Sequence, residues 1–187
     1  MTALSNWVPS LDGEQTLGEA YAEMPGDDAS VVPWYVRLLE NPASPVALPG
    51  AIDLRGHDCV HIVFGRGTTS ADEAFVLGVT MGSTGRAAGW QRQVFALAAR
   101  HLYRGPWRLS ERDVLLFHLA VEFIRQQGVQ PLNAVRWDDL WDEPLKKIRS
   151  SLGIRVPELL RFFETERLLW PDSLAASRLP TVAHRDE

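Results

Sequence analysis

Apolar residues recur at spacings of three and four along most of this chain, while the strict alternation of a half-buried strand is hard to find. A short helix is predicted over Glu14 to Met24, stopped by Pro25-Gly26. A second is predicted over Val31 to Glu40, with Pro33 tolerated in its first turn. Three prolines between Asn41 and Gly50 require a loop. From Ala51 to Phe64 the residues Ile52, Leu54, Val60, Ile62, Val63 and Phe64 give a third helix, closed by Gly65 and Gly67. The next runs from Ser70 to Met81. Ser70-Ala71-Asp72-Glu73 reads as a capping box, with Ser70 as the cap and Glu73 reaching back to it.

The pattern continues over Ala87 to Leu102, with Trp90, Val94, Leu97 and Ala98 on one face. Ser110 caps a long helix through Gln127, apolar on most sides and expected to run through the core. Asn133 to Leu152 follows, with Pro144 predicting a break near Glu143 and Trp137 and Trp141 sharing a face. Val156 to Leu169 is the last helix. Its Leu159, Leu160, Phe162, Phe163, Leu168 and Leu169, followed by Trp170, exceed one buried stripe, which suits core, a subunit interface or a peripheral membrane contact. These seven to eight helices predict an all-α fold, a single compact domain over residues 1–170. Residues 171–187 read as a polar, mobile C-terminal tail.

Composition narrows the function classes. The chain has 187 residues, enough for one substantial core, and 45% hydrophobic with 23% charged residues is ordinary for a globular protein. A net charge of -5 without any Lys/Arg block argues against nucleic acid as a partner. Cys59 is the only cysteine, which excludes an internal disulfide and favours a reducing compartment. The first ten residues lack the pattern of a secretory signal, arginine is absent until Arg37, and no apolar run approaches the ~20 residues that span a bilayer. The expected location is the cytoplasm, with peripheral contact at the inner face of the plasma membrane.

The chemistry concentrates in His57-Asp58-Cys59-Val60-His61 and, after eleven intervening positions, Glu73. On a helix, His57 and His61 lie one turn apart on one face, and two such imidazoles make half of a first-row metal site. A carboxylate from a neighbouring element can complete it. Glu73 has two roles open to it, helix cap or ligand. Asp58 lies about a hundred degrees around the helix from His57. Sharing the metal therefore needs local distortion or a bridging water, and Asp58 can instead orient an imidazole or act as a base.

Other candidates carry less. His118 on the apolar helix reads as a hydrogen-bonded core residue, His101 complements a helix dipole, and His184 has no role. Gly65-Arg66-Gly67 lacks the further glycine or lysine of phosphate loops, and no serine occupies a nucleophile elbow. A zinc peptidase would need glutamate at position 58, since aspartate is about one methylene short of the zinc-bound water. A phosphohydrolase of the HD type needs a further histidine upstream, and none precedes His57.

The spacing H-D-x-x-H-(x11)-E resembles that of the ubiquinone (coenzyme Q) biosynthesis proteins with this zinc motif, the fourth-numbered protein of the Coq series. Thr16-Leu17-Gly18-Glu19-Ala20-Tyr21 is similar to that family's G-T-x-G-x-A-Y segment. Arg136-Trp137, Trp141, Pro144-Leu145 and Leu152-Gly153-Ile154 are similar to its closing R-W-x-x-x-W … L-G-I segment. The resemblance runs from about Leu17 to Ile154 and departs between Glu23 and Gly50 and around Gly85 to Trp107, as for a divergent bacterial-type member. It implies an all-α fold, a homodimer, and a hydrophobic tunnel for a polyprenyl tail beside the metal. His57, Asp58, His61 and Glu73 would be the metal residues, with zinc or iron as the divalent ion and Asp58 or Glu73 moving the proton. The implied activity is oxidative decarboxylation at ring carbon 1 of a polyprenylated benzoate. The alternative is a prenyl-lipid-binding scaffold that organises other quinone-biosynthesis enzymes around a structural metal.

Overall fold

The computed structural model describes residues 7–11, 13–25, 50–85 and 109–181. Among these the secondary structure is helical, without a strand, and the only β-type pairing is the isolated bridge between Thr16 and Pro144. Seven α-helices are formed: α1 Leu17–Glu23, α2 Leu54–Phe64, α3 Ser70–Ser83, α4 Glu111–Gln127, α5 Leu145–Leu152, α6 Val156–Leu169 and α7 Leu174–Arg178. The all-α expectation holds. The helices predicted over 31–40 and 87–102, the loop after Asn41 up to Gly50, and His101 and His184 lie outside the described residues.

Helix α2 is the centre of the fold. Asp53 opens it by accepting a hydrogen bond from the Gly56 amide at 2.7 Å. Gly65, at φ 65°, closes it in the left-handed conformation that glycine adopts without strain. Every residue from Cys59 to Phe64 is buried, and all but His61 are apolar, so the C-terminal half of this helix lies in the core. Around it Phe64, Phe75, Leu116, Ile148, Leu159 and Phe163 form one continuous cluster. Each such side chain contributes roughly 1.5–3 kcal/mol of burial free energy.

The most extensive helix pair is α3 with α4. Its closeness depends on Gly78 and Gly82, one turn apart on α3. A Cβ on Gly78 would lie 2.6 Å from the Phe117 carbonyl oxygen, and one on Gly82 would lie 2.8 Å from that of Val121. Ser110 caps α4 through a complete capping box with Asp113. The expectation that α4 runs through the core is met on one face only: Leu116, Phe117, Ala120, Val121 and Ile124 are buried while Leu115 is half exposed.

Two predicted elements differ. Residues 133–152 are not one interrupted helix: 3₁₀ turns occupy Leu132–Ala134 and Trp137–Leu140, and α5 starts after Pro144, which serves as its N-cap. Trp137 and Trp141 therefore do not share an α-helical face. Trp137 is buried, and Trp141 packs on Tyr21 of α1 with ring centroids 5.0 Å apart. Within the segment expected to be a polar tail, α7 is capped by Ser173 and buries Ala175, Ala176 and then Leu179. The packed domain thus reaches Leu179, because three small or apolar side chains in a polar stretch suffice to dock a short helix.

Candidate metal centre

Helices α2 and α3 pack side by side, and the turn between them brings Glu73, on the first turn of α3, over the histidine face of α2. His57 Nε2 lies 3.0 Å from Glu73 Oε2, and His61 Nε2 lies 3.3 Å from Glu73 Oε1. The two Nε2 atoms are 3.1 Å apart. The rings meet edge-on, with centroids 4.8 Å apart. His61 is buried, while His57 and Glu73 keep 15% and 22% of their side-chain surface, so solvent reaches the cluster from their side.

The local sequence explains why Glu73 is available. The predicted capping box was Ser70 with Glu73; the observed one is shifted back by one residue. Thr69 is the N-cap and accepts from the Asp72 amide, while the Asp72 carboxylate accepts from the Thr69 amide at 3.0 Å and its hydroxyl at 2.7 Å. Asp72 thus satisfies the helix end, and Glu73 is released to face α2. The capping role thus falls to Asp72, and Glu73 faces the two histidines.

The protonation pattern is constrained. His61 Nδ1 is 2.7 Å from the Gly67 carbonyl oxygen, which can only accept, so Nδ1 carries the proton. In neutral His61 the Nε2 lone pair then faces His57 and Glu73. Two imidazole nitrogens 3.1 Å apart need a proton or a cation between them. For nitrogen–zinc bonds of about 2.0–2.1 Å, a tetrahedral edge is about 3.3 Å, which the observed separations match. His57, His61 and Glu73 can therefore hold a divalent ion. Burial by itself would raise the Glu73 carboxyl. The facing His61 and His57 outweigh it by charge and hydrogen bonding and hold it well below the usual carboxylate range.

Asp58, the fourth predicted metal residue, is not part of this cluster. Its helical offset turns the carboxylate toward α1, where Oδ2 accepts a hydrogen bond from the Tyr21 hydroxyl at 3.1 Å. Burial raises the Asp58 carboxyl, against the lowering influence of His57, Tyr21 and His61. Burial and then Asp58 itself push the Tyr21 hydroxyl up to about 12. Cys59 lies outside the cluster, and burial pushes its thiol up to about 12 as well, which leaves it an inert core residue. His118 is half-buried with its ring against Phe117. Sequence reasoning missed two participants. Tyr21 had only its place in a short motif as a signal, and the Gly67 carbonyl had none, since a backbone acceptor leaves no mark on residue identity.

The model of the family described as coenzyme Q (ubiquinone) biosynthesis protein Coq4 matches residues 54–158, more than half of the chain. The chain belongs to the Coq4 family. Membership implies a role in ubiquinone biosynthesis, and the matched span contains all of α2 and α3 and hence the whole His57, His61, Glu73 cluster. No curated protein and no solved structure matches the chain. Among the described residues, no helix is long and apolar enough to cross a membrane.

Proposed function

We propose that this Coq4-family protein is a metal-dependent enzyme of ubiquinone biosynthesis, acting on a polyprenylated aromatic acid by oxidative decarboxylation at ring carbon 1. In that reaction the carboxyl carbon leaves as carbon dioxide and a hydroxyl oxygen takes its place. The ring gives up two electrons to an oxidant supplied from outside the chain. The observation that carries the proposal is the convergence of two imidazoles and one carboxylate at a point reached from solvent past His57 and Glu73. Three protein groups with an accessible side are the pattern of catalytic rather than closed structural sites.

Bound zinc, or iron, would supply Lewis acidity toward the substrate's carboxylate. His57, His61 and Glu73 would hold that ion. Asp58 would hold and release the proton: it is next to the cluster, its burial favours the protonated form, and the Tyr21 hydroxyl fixes its direction. The exposed Leu168, Leu169 and Leu174 supply an apolar surface for contact with the inner face of the plasma membrane or with a second copy of the chain. From the cytoplasmic side, such a surface gives a prenylated substrate a short route from bilayer to protein.

The test is complementation of a quinone-deficient strain that lacks ring-carbon-1 decarboxylation, with lipid extracts read by mass spectrometry. Wild-type protein should restore quinone. Asp58→Ala, folded and metal-loaded, should accumulate the carboxylated precursor. Rescue by Asp58→Ala at the wild-type level would favour a scaffold that organises other quinone-biosynthesis enzymes. No rescue by a well-expressed wild type would point to another aromatic substrate.

A further inference from the structure

A second polar cluster lies next to the candidate metal centre, and three of its four members, Arg66, Asp72 and Glu166, are buried, while Arg178 keeps a small exposed fraction. Arg66 is fully buried. Its guanidinium donates to Glu166 of α6 through Nη1 at 2.7 Å and Nη2 at 3.2 Å, and lies 4.5 Å over the Phe75 ring. Its Nε is 3.1 Å from Asp72 Oδ1. Asp72 is also approached by Arg178 of α7 at 3.7 Å. The set is charge-neutral, two guanidinium groups against two carboxylates.

Burying such a set is a poor way to gain stability, because apolar replacements of similar volume are often neutral or stabilising. Its connections suggest another use. The Arg66 amide donates to the His61 carbonyl at 2.9 Å, so its backbone is tied to one site residue. Its side chain forms an ion pair with Asp72, the residue before Glu73, without a directed hydrogen bond, and reaches the Ala71 carbonyl at 3.4 Å. Between these anchors lies Gly67, whose carbonyl fixes the His61 ring. The turn has no slack there: a Cβ on Gly67 would lie 2.6 Å from the Trp7 carbonyl oxygen and 3.0 Å from Asp72 Oδ2.

We propose that Arg66, Asp72, Glu166 and Arg178 are positioning residues for the metal centre, holding the 65–72 turn so that Gly67 keeps His61 in its Nδ1–H form and Glu73 stays over both imidazoles. The inference rests on the metal site proposed above. It extends that site to α6 and α7, since Glu166 and Arg178 lie beyond the segment that the family model matches. Outer partners of metal-bound histidines commonly act this way, orienting the ring and setting its tautomer.

The test uses the full chain, as wild type, Glu166→Gln, Arg178→Met and Arg66→Lys. Zinc affinity is measured by competition with a chromophoric chelator, and cobalt(II) is added as a spectroscopic probe. The His61 tautomer is read in metal-free protein by ¹⁵N–¹H correlation, with circular dichroism as the folding control. Glu166→Gln should bind zinc about 10–100-fold more weakly. Its cobalt absorption bands should shift and the Nδ1–H form of His61 should lose its dominance, all at unchanged helicity. Arg178→Met, at the longer contact, should lose about tenfold or less, and Arg66→Lys, which cannot reproduce the fork, should resemble Glu166→Gln. If Glu166→Gln does not fold, Arg178→Met and Arg66→Lys carry the test. A purely structural cluster would lower thermal midpoints yet leave affinity, cobalt spectrum and tautomer as in wild type, and that result would overturn the proposal. A wild type that binds neither ion would remove the metal site, and the positioning role with it.

Discussion

Asp72 and Glu73 are neighbours in the chain, both carboxylates, both on the first turn of α3, yet they belong to opposite environments. Asp72 faces inward to Thr69, Arg66 and Arg178, with its charge balanced and its surface gone. Glu73 faces two imidazoles and keeps part of its surface in solvent. The first cluster is balanced in charge, because every positive group has a negative group within 4 Å. The second is chemically unfinished, with lone pairs converging where a cation fits. A hundred degrees of helix rotation separates a carboxylate set among guanidinium groups from one that faces two imidazoles. The difference shows why a buried charge alone is weak evidence of function, whereas converging donors with access to solvent are strong evidence.

The contrast can be broken first at its sealed half. Arg66→Ala leaves Glu166 and Asp72 buried without their main cation and should cost about 3–5 kcal/mol of stability, read as a lower urea midpoint. A loss within 1 kcal/mol would mean that water enters the cluster freely. At the open half, His61→Ala should lower zinc affinity by more than the ~100-fold that outer-shell changes reach, roughly 2.7 kcal/mol or more. Equilibrium dialysis checks this, and full metal content in the variant would remove His61 from the site.

The two carboxylates can then be compared directly. Thr69→Ala removes the cap that Asp72 completes and should cost about 1 kcal/mol of stability, with α3 still able to present Glu73. Glu73→Gln should do the reverse, leaving far-UV dichroism and the urea midpoint of metal-free protein near wild type while metal is lost. A Glu73→Gln variant that loses helicity instead would return Glu73 to a capping role. The smallest effect expected involves Cys59, outside both clusters. Burial, reinforced by Asp58, raises the thiol from 9.0 to about 12. A group raised on folding contributes stability that is fully present below its unfolded value and is lost as pH rises toward the folded one. The decline should therefore begin near pH 9 and remain under about 1 kcal/mol by about pH 9.5. Chemical denaturation at pH 8.0 and 9.5, beside a Cys59→Ala control, measures it.

How much of this could be read from residues alone differs element by element. The apolar spacing of 111–127 with Ser110 before it, and of 156–169, identified α4 and α6 to the residue, because period and caps are local properties. The stretch from Leu132 to Leu140 became 3₁₀ turns instead of α-helix. There Pro144 restricts the chain, and Trp137 and Trp141 are fixed by packing partners far away in sequence. At the site, residue types and spacing alone determined that His57 and His61 share a helix face and that a carboxylate twelve residues past His61 could meet them.

Sequence could not decide between Glu73 as cap and Glu73 as site group, since Ser70 with Glu73 and Thr69 with Asp72 are both chemically sound boxes. Tertiary structure chose the second, because Arg66 and Arg178 make the position of Asp72 the one where a buried negative charge is balanced. The same holds for Asp58, which any reader of the motif would group with its neighbours and which the approach of α1 instead pairs with Tyr21. Helical periodicity is encoded in a few successive residues. Which carboxylate is neutralised, and by what, depends on partners a hundred residues or more away, and only the packed chain brings them together.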